Sequence, residues 1–263
     1  MPVGFVDLDH VTLRYGGDAD APLALDETSM KIAKGEFIAV VGPSGCGKSS
    51  LLKLVSGLMP PSDGNVIVND REVSGPLKIV GMAFQNPTLL PWRTTLQNVL
   101  LPLEIVEPYR SSGRAERKTF EAKAMALLAK VGLAGFEDKH PWELSGGMQQ
   151  RASLCRSLIH EPDLLMLDEP FGALDAFTRE ELWDILQGLW MERPFTVILV
   201  THDLREAAYL ADTIYVMSKR PGRILVRREN PLPRPRDQEV TFSQDFIDLV
   251  HELRNHIRVV RAA

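Results

Sequence analysis

Apolar residues follow two kinds of pattern along this chain. Short continuous apolar runs occur at 37–41, 164–167 and 197–200. Runs of this length predict strands that are buried on both faces of a parallel sheet. Residues 94–103 and 115–131 instead repeat their apolar positions with helical spacing. The sequence therefore predicts an α/β fold in which the segment between Gln85 and Ser145 is helical.

The C-terminal part of the chain gives weaker signals. Residues 219–223 contain proline and glycine and predict a turn between two strands, and the proline-rich residues 231–236 predict an extended segment. An apolar stripe with helical spacing follows, formed by Phe242, Phe246, Ile247, Leu249, Val250, Leu253 and Ile257. A stripe of this kind is more typical of packing on the chain's own domain than of binding a partner.

The first apolar run leads into a glycine-rich segment that matches the whole phosphate-binding pattern G-x-x-x-x-G-K-[ST]. The segment consists of Gly42, Pro43, Ser44, Gly45, Cys46, Gly47, Lys48 and Ser49, and Ser50 continues it into a helical pattern. A strand, a glycine-rich turn and a helix start direct several N–H groups and the positive end of the helix dipole at one point. Lys48 would reach the β- and γ-phosphates, and the Ser49 hydroxyl would ligate Mg²⁺. A chance glycine-rich turn is the alternative, but both flanks favour a nucleoside triphosphate site.

A pair of carboxylates follows the second apolar run. Asp168 and Glu169 stand directly after residues 164–167. Carboxylates at the carboxyl end of a parallel strand lie in the crevice where α/β sheets bind their ligands. Asp168 could hold Mg²⁺ and Glu169 could polarise an attacking water, although an isolated acidic pair is equally typical of a turn or a helix cap. The phosphate-binding segment favours the catalytic interpretation.

A second glycine-rich helix start precedes the acidic pair. Residues 144–151 read L-S-G-G-M-Q-Q-R, and a helical pattern runs from there toward His160. Ser145, Gly146 and Gly147 would leave the first N–H groups of that helix open to an anion. One triphosphate cannot readily bind two such helix ends on one compact domain, so a second copy of the chain would complete each site. An ordinary loop that caps a helix is the alternative for this motif alone.

These three motifs together resemble the ATPase subunits of ABC transporters, and the resemblance covers about residues 5–223. It implies a P-loop NTPase core with an antiparallel β subdomain and an inserted α-helical subdomain at about 86–160. The ABC ATPase domain would span residues 1–236, and residues 237–263 would form a helical tail. The resemblance also implies ATP and Mg²⁺ as the cofactors.

Further positions match the family one by one. The resemblance implies that Tyr15 stacks on adenine, that Gln85 senses Mg²⁺ and water, and that His202 contacts the γ-phosphate. Residues 173–175 would contact the opposite subunit. Taken singly, Tyr15 would be a packing residue, Gln85 a solvated loop residue and His202 a structural histidine. The order of the motifs favours the functional interpretation.

The resemblance implies a mechanism of ATP hydrolysis. Lys48, Mg²⁺ and backbone amides would neutralise charge on the γ-phosphate, and Glu169 would activate water with help from Gln85 and His202. Ser49, Gln85 and Asp168 would surround the metal. Ser145 and the two glycines after it would come from a second copy, in a head-to-tail dimer that holds two ATP molecules.

Composition limits the other classes of function. The formal net charge of −5 disfavours a broad nucleic-acid-binding surface. Cys46 and Cys155 are too few for a disulfide framework. Cys46 could have a lowered pKa at a helix start, but a small filler residue is the favoured interpretation. No signal peptide or membrane span is predicted, so the expected location is peripheral, on the cytoplasmic face of a bacterial inner membrane.

Weaker marks point to the nitrate/sulfonate/taurine importer group. They are the segment 89–92, residues 171–176 and the turn near Arg223. The implied partners are permease subunits and, indirectly, a periplasmic or lipoprotein solute-binding protein. Trp92 is either a packing anchor or part of a groove that docks the permease. An ABC exporter or lipid-trafficking ATPase stays open as an alternative, and a nucleic-acid- or ribosome-associated ABC ATPase is less favoured.

Overall fold

A computed structural model describes residues 4–16 and 21–262. The chain forms two compact units, of which the second is Lys78–Glu192 and the first comprises the described residues on either side of it. Residues 1–3 lie outside the described residues. The prediction that the chain start carries no signal peptide therefore stays a prediction. The predicted limits of the helical subdomain, about 86–160, and of the helical tail, 237–263, remain predictions.

The described strands are β1 Val6–Arg14, β2 Leu23–Ile32, β3 Phe37–Val41, β4 Asp63–Val68, β5 Arg71–Glu72, β6 Val80–Phe84, β7 Leu164–Asp168, β8 Thr196–Thr201, β9 Thr213–Met217 and β10 Ile224–Glu229. The described α-helices are α1 Lys48–Val55, α2 Thr95–Ile105, α3 Arg114–Lys130, α4 Gly146–Leu158, α5 Ala176–Glu192, α6 Leu204–Leu210 and α7 Gln244–Ala262. These elements confirm the predicted α/β class and the strands and helices expected from the apolar patterns.

The first unit contains two sheets. An antiparallel sheet has the strand order β2-β1-β4-β5, and a second sheet places β10, β9, β3 and β8 side by side. Strand β3 runs parallel to both β8 and β9, whereas β10 is antiparallel to β9. Every residue of β3 and β8 is buried, as continuous apolar runs require.

Helix α1 packs its apolar face inward and ends sharply. Leu51, Leu52 and Leu54 are buried, and the helix stops at Ser56. Gly57 follows with φ of +76°, and a Cβ there would lie 1.9 Å from the carbonyl oxygen of Gly75. Only glycine fits this position, because any side chain would collide with backbone.

The segment after β10 is tied to α6 by a buried arginine that the sequence analysis did not single out. Arg236 is only 3% exposed, and its guanidinium donates to the carbonyl oxygens of Tyr209 and Ala211 at the end of α6. Arg236 therefore binds carbonyl groups that the helix end leaves without intrahelical partners. Burial lowers the pKa of Arg236 to about 10.

Helix α7 follows the predicted apolar stripe only in part. Phe246, Leu249 and Leu253 are buried, which confirms packing on the chain's own domain. Phe242 is 74% exposed and Ile247 is 48% exposed, so the prediction is wrong for these two. Phe242 lies in the 3-10 turn before α7, and Ile247 falls one position beside the i, i+3, i+7 row that is buried.

The second unit combines a parallel strand pair with packed helices. Strands β6 and β7 are parallel neighbours. Helices α2, α3 and α4 share a hydrophobic cluster that includes Val99, Leu128 and Ile159. Thr94 caps α2 in a capping box with Gln97. Within the described part of the chain, no helix has the length and apolar character needed to cross a membrane.

Candidate active site

The phosphate-binding segment forms a tight turn between β3 and α1. Gly45 and Gly47 have φ of +76° and +108°, and a Cβ at Gly47 would lie 2.8 Å from Cδ2 of Leu25 and 2.9 Å from the carbonyl oxygen of Ala24. Glycine therefore lets the turn approach β2 closely. Gly47 occupies the N-cap position of α1 and offers no side chain to cap it. The positive end of α1 is thus arranged to receive an anion.

Lys48 lies against the carbonyl groups of its own loop. Its ammonium group donates to the carbonyl oxygens of Gly42 at 3.0 Å and Pro43 at 3.1 Å, and the residue is 5% exposed. These contacts keep the Lys48 ammonium group at the start of α1. The helix dipole also favours an anion at this end of the helix. Ser49, the next residue, is exposed.

Tyr15 lies beside this loop. Its hydroxyl shares a hydrogen bond of 2.9 Å with Oγ of Ser50, and Nζ of Lys53 is 5.8 Å from the ring centroid. The tyrosine is 37% exposed. The structure therefore brings Tyr15 to the phosphate-binding segment, and the stacking on adenine stays a proposal.

Cys46 is buried inside the loop, with 1% exposure. Removal from water raises the pKa of the Cys46 thiol and outweighs the opposing effect of the Lys48 charge. The interpretation of Cys46 as a reactive thiol with a lowered pKa is therefore wrong. The interpretation of Cys46 as a small filler agrees with the structure.

We expect alkylation of native Cys46 to be slow because the thiolate is the reactive form and little of it is present. At mildly alkaline pH, iodoacetamide should label Cys46 at least about tenfold more slowly in the folded chain than in the unfolded chain. Mass spectrometry of the labelled peptide measures both rates. Cys155, which is also buried, serves as the internal comparison, and fast labelling of native Cys46 alone would contradict the expectation.

His202 follows β8 at the same sheet edge as the loop. Strands β3 and β8 are parallel, with Val41 opposite Thr201, so the residues after both strands leave the sheet on one side. His202 is exposed there. Asp203 caps α6 by accepting from the N–H groups of Arg205 and Glu206.

Thr201 links the two acidic residues at the start of α6. Its hydroxyl donates to the Glu206 carboxylate at 2.9 Å and accepts from the Asp203 N–H at 3.0 Å. The cap therefore includes the last residue of β8, which the sequence pattern did not reveal. The arrangement fixes the backbone on both sides of His202.

Gln85 and Glu169 follow neighbouring strands in the second unit. Phe84 of β6 lies opposite Asp168 of β7, so both residues lie just beyond the same edge of the parallel pair. Glu169 has φ of +48°, in the left-handed region. For a residue other than glycine this conformation costs about 1–2 kcal/mol, and such strain is concentrated at functional positions. No sequence pattern predicted the left-handed conformation of Glu169.

Gln150 holds these two loops together. Its side-chain amide nitrogen donates to the carbonyl oxygens of Gln85 at 2.8 Å and Pro170 at 2.7 Å. Gln150 is 6% exposed. Sequence reasoning quoted this glutamine within the motif at 144–151 but gave it no role.

The second glycine-rich segment lies at a helix start, as predicted, but the Ser145 hydroxyl occupies one of the N–H groups that were expected to be open to an anion. Helix α4 begins at Gly146, and the Ser145 hydroxyl accepts from the N–H of Met148 at 3.3 Å. A cavity of about 450 Å³ is lined by Ser145, Gly146, Gly147, Asp175 and other residues of this unit. The two segments expected to contact a second copy therefore line one cavity.

Asp175 accepts a hydrogen bond at the start of α5, beside this cavity. Its carboxylate accepts from the N–H of Thr178 at 3.0 Å. Hydrogen bonds from Thr178 lower the pKa of the Asp175 carboxyl. A Cβ on Gly147 would lie 2.9 Å from Cγ2 of Thr178, so α4 and α5 approach closely here.

Comparison with known proteins gives a consistent result. Residues 25–172 match the protein family described as ABC transporter. The chain is 45% identical over 228 residues to the aliphatic sulfonates import ATP-binding protein SsuB of Bacillus licheniformis, which covers 86% of each chain. It is 44% identical over 204 residues to the taurine import ATP-binding protein TauB of Yersinia pestis, which covers 78% of this chain and 77% of the relative.

Solved structures agree with these relatives. A dimeric post-hydrolysis structure of the ATP-binding cassette MJ0796, bound to ADP and Pi, has a TM-score of 0.74 and 30% identity, and covers 87% of this chain and all of that one. The fold and its motifs define an ATPase with a P-loop core. The chain belongs to the ABC transporter family, as the sequence resemblance indicated.

Proposed function

We propose that this chain binds ATP with Mg²⁺ and hydrolyses it to drive uptake of a small sulfonate through separate permease subunits. The proposed solute class rests on the 45% identity to a sulfonate import ATP-binding protein over 86% of both chains. The similarity to a taurine import protein agrees with it, because taurine is itself a sulfonate.

Binding of the phosphates and of adenine is assigned to residues of the first unit. Lys48 and the backbone N–H groups of residues 42–50 bind the phosphates, and Tyr15 stacks on adenine. The hydroxyl of Ser49, an exposed residue, fits Mg²⁺, which favours oxygen ligands and is usually held by few protein groups together with phosphates. The described residues contain no cluster of three or more His, Cys, Asp or Glu that could hold a metal. Gln85 and Asp168 are the further oxygen ligands.

Hydrolysis is assigned to Glu169 as the general base. A positioned base contributes about 10²–10⁴-fold to such a reaction. Glu169 accepts a proton from the attacking water, while Gln85 and His202 orient that water. Bound Mg²⁺ would supply neutralisation of the phosphate charge.

A second copy of the chain completes each site. Ser145, Gly146 and Gly147 bind the ATP held by the other copy in a head-to-tail dimer. Two dimeric structures of the related MJ0796 cassette, at 30% and 31% identity, support this assembly. The cavity lined by both Ser145 and Asp175 supports this assembly as well, because the two segments expected to contact the second copy line the same cavity.

Two exposed tryptophans, Trp92 and Trp142, are proposed to form one aromatic face for the permease. Trp92 is 71% exposed, which contradicts its interpretation as a packing anchor. Trp142 is 67% exposed and belongs to a stacked pair with His140 at 4.4 Å. Thr95 donates through both its N–H and its hydroxyl to the carbonyl oxygen of Lys139, which joins the two segments. We assign this aromatic face to docking of permease helices at the cytoplasmic side of a bacterial inner membrane.

Purification of the chain from its native membranes tests this proposal. We expect mass spectrometry to find a multispanning permease, and vesicles with the purified complex to take up taurine or an alkanesulfonate only with ATP. Changing both Trp92→Asp and Trp142→Asp should reduce permease recovery at least about tenfold, because a charge replaces an aromatic anchor. Phe242→Asp, at a similarly exposed aromatic residue, is the control.

Other results would contradict the proposal. Recovery of RNA or ribosomes in place of a permease would favour the nucleic-acid class. ATP-driven export without uptake would favour the exporter class. Full permease recovery with the double variant would show that the aromatic face does not dock the permease.

A further inference from the structure

One buried side chain, that of Gln150, connects the two loops that the proposed hydrolysis depends on. Gln150 lies in the second turn of α4 and is 6% exposed. Both N–H groups of its amide are used, one toward the carbonyl oxygen of Gln85 and one toward that of Pro170. The distances of 2.8 and 2.7 Å are those of well-formed hydrogen bonds.

The two carbonyl groups that Gln150 binds belong to the loops that contain Gln85 and Glu169. The first belongs to Gln85 itself, and the second belongs to the residue directly after Glu169. Glu169 is in the left-handed conformation, which persists only where the surrounding structure holds it. A bond to Pro170 restrains the turn on its C-terminal side, while the Gly172 N–H donates to the carbonyl oxygen of Glu169.

The amide nitrogen of Gln150 also constrains the two loops relative to one another. A single nitrogen atom contacts both carbonyl oxygens, so the two loops are fixed relative to one another at one point. The strands before them are already aligned, with Phe84 opposite Asp168. Gln150 therefore extends the alignment of the strand pair into the loops beyond it.

We propose that Gln150 is a positioning residue for ATP hydrolysis, which holds the backbone of Gln85 and of the Glu169 turn in their working arrangement. This inference rests on the proposed roles of Glu169 and Gln85. Gln150 does not contact the nucleotide in this role; its bond to the Gln85 backbone fixes the loop against which the Glu169 turn is held, so its effect on hydrolysis passes through Glu169. Loss of its hydrogen bonds should slow hydrolysis and leave ATP binding by the loop at residues 42–50 unchanged, because those residues lie in the other unit.

The test is steady-state ATPase kinetics of the purified full chain. Gln150→Met keeps the length of the side chain and removes both donors, and Gln150→Glu keeps its shape and places oxygen against the carbonyl groups. We expect kcat to fall about tenfold to hundredfold in either variant, with KM for ATP unchanged. Tyr109→Phe removes a hydrogen bond to His160 just beyond the other end of α4 and should leave kcat unchanged.

A double-mutant cycle separates positioning from general stability. If Gln150 acts through Glu169, Gln150→Met should cause no further loss of kcat in a chain that already carries Glu169→Gln. Thermal unfolding verifies that each variant is folded, and Gln150→Glu replaces Gln150→Met in the cycle if the methionine variant is not.

Each contrary result has a distinct meaning. An unchanged kcat for the Gln150 variants, with Glu169→Gln slow, would overturn the positioning role alone. An equal loss from Gln150→Met in both backgrounds would also overturn it, since the effect would not pass through Glu169. Normal turnover of Glu169→Gln would instead refute the proposed base.

Discussion

Replacing Glu169 with glutamine is expected to lower kcat for ATP about a thousandfold while ATP still binds. Glutamine has nearly the same shape but cannot accept the proton of the attacking water. The bonds that hold the neighbouring turn involve backbone atoms of Gln85 and Pro170, so the substitution leaves them in place. Because hydrolysis is what would release the two copies, the variant should accumulate as a dimer in the presence of ATP.

Phosphate release, equilibrium nucleotide binding and light scattering measure the three effects. Glu161→Gln is a matched control, because Glu161 also has a positive φ, of +52°, but precedes β7 and pairs with Lys123. That variant should turn over ATP at the normal rate. A Glu169→Gln chain that hydrolyses ATP as fast as the control would show that another group is the base.

Replacing Ser145 with arginine is expected to reduce hydrolysis about a hundredfold and to leave ATP binding by the single copy nearly intact. Ser145 is exposed and lines the cavity assigned to the second copy, where a long side chain would block approach of the other nucleotide. The substitution also removes the hydroxyl that caps α4, which costs about 1 kcal/mol of stability.

Ser145→Ala separates the two effects of that change. Alanine loses the cap and the hydroxyl proposed to contact the other copy's ATP but adds no bulk, so it should share the small loss of thermal stability and lose much less activity than the arginine variant. Dimer formation with ATP is measured by size-exclusion chromatography. If ATP binding by the single copy collapsed in the arginine variant, Ser145 would act on its own chain's nucleotide and the proposed dimer arrangement would be wrong.

Much of the fold follows from patterns that are local in sequence. The runs at 37–41 and 197–200 become buried strands because a continuous apolar run fits a sheet covered on both faces. The helices over Thr95–Ile105 and Arg114–Lys130 agree with their apolar spacing to within two residues. The motif residues also reach the strand ends and helix starts that their order predicts.

Other features depend on residues that are far apart in the chain. Gln150 meets Gln85 and Pro170 only after three separate segments have folded, so no sequence spacing reveals it. The pKa of Cys46 illustrates a different limit. A helix start lowers a thiol pKa and burial raises it, and the sequence shows the helix but not the depth of burial.

The backbone at Glu169 has a consequence for how this position can vary. Glycine would adopt the left-handed turn with no steric cost, and would relieve about 1 kcal/mol that glutamate bears there. Selection for thermal robustness alone would therefore favour glycine, whereas the proposed role of residue 169 as the general base requires a carboxylate. Under the proposed role of Glu169 as the base, the residue at 169 marks a trade-off in which the protein gives up a little stability for turnover.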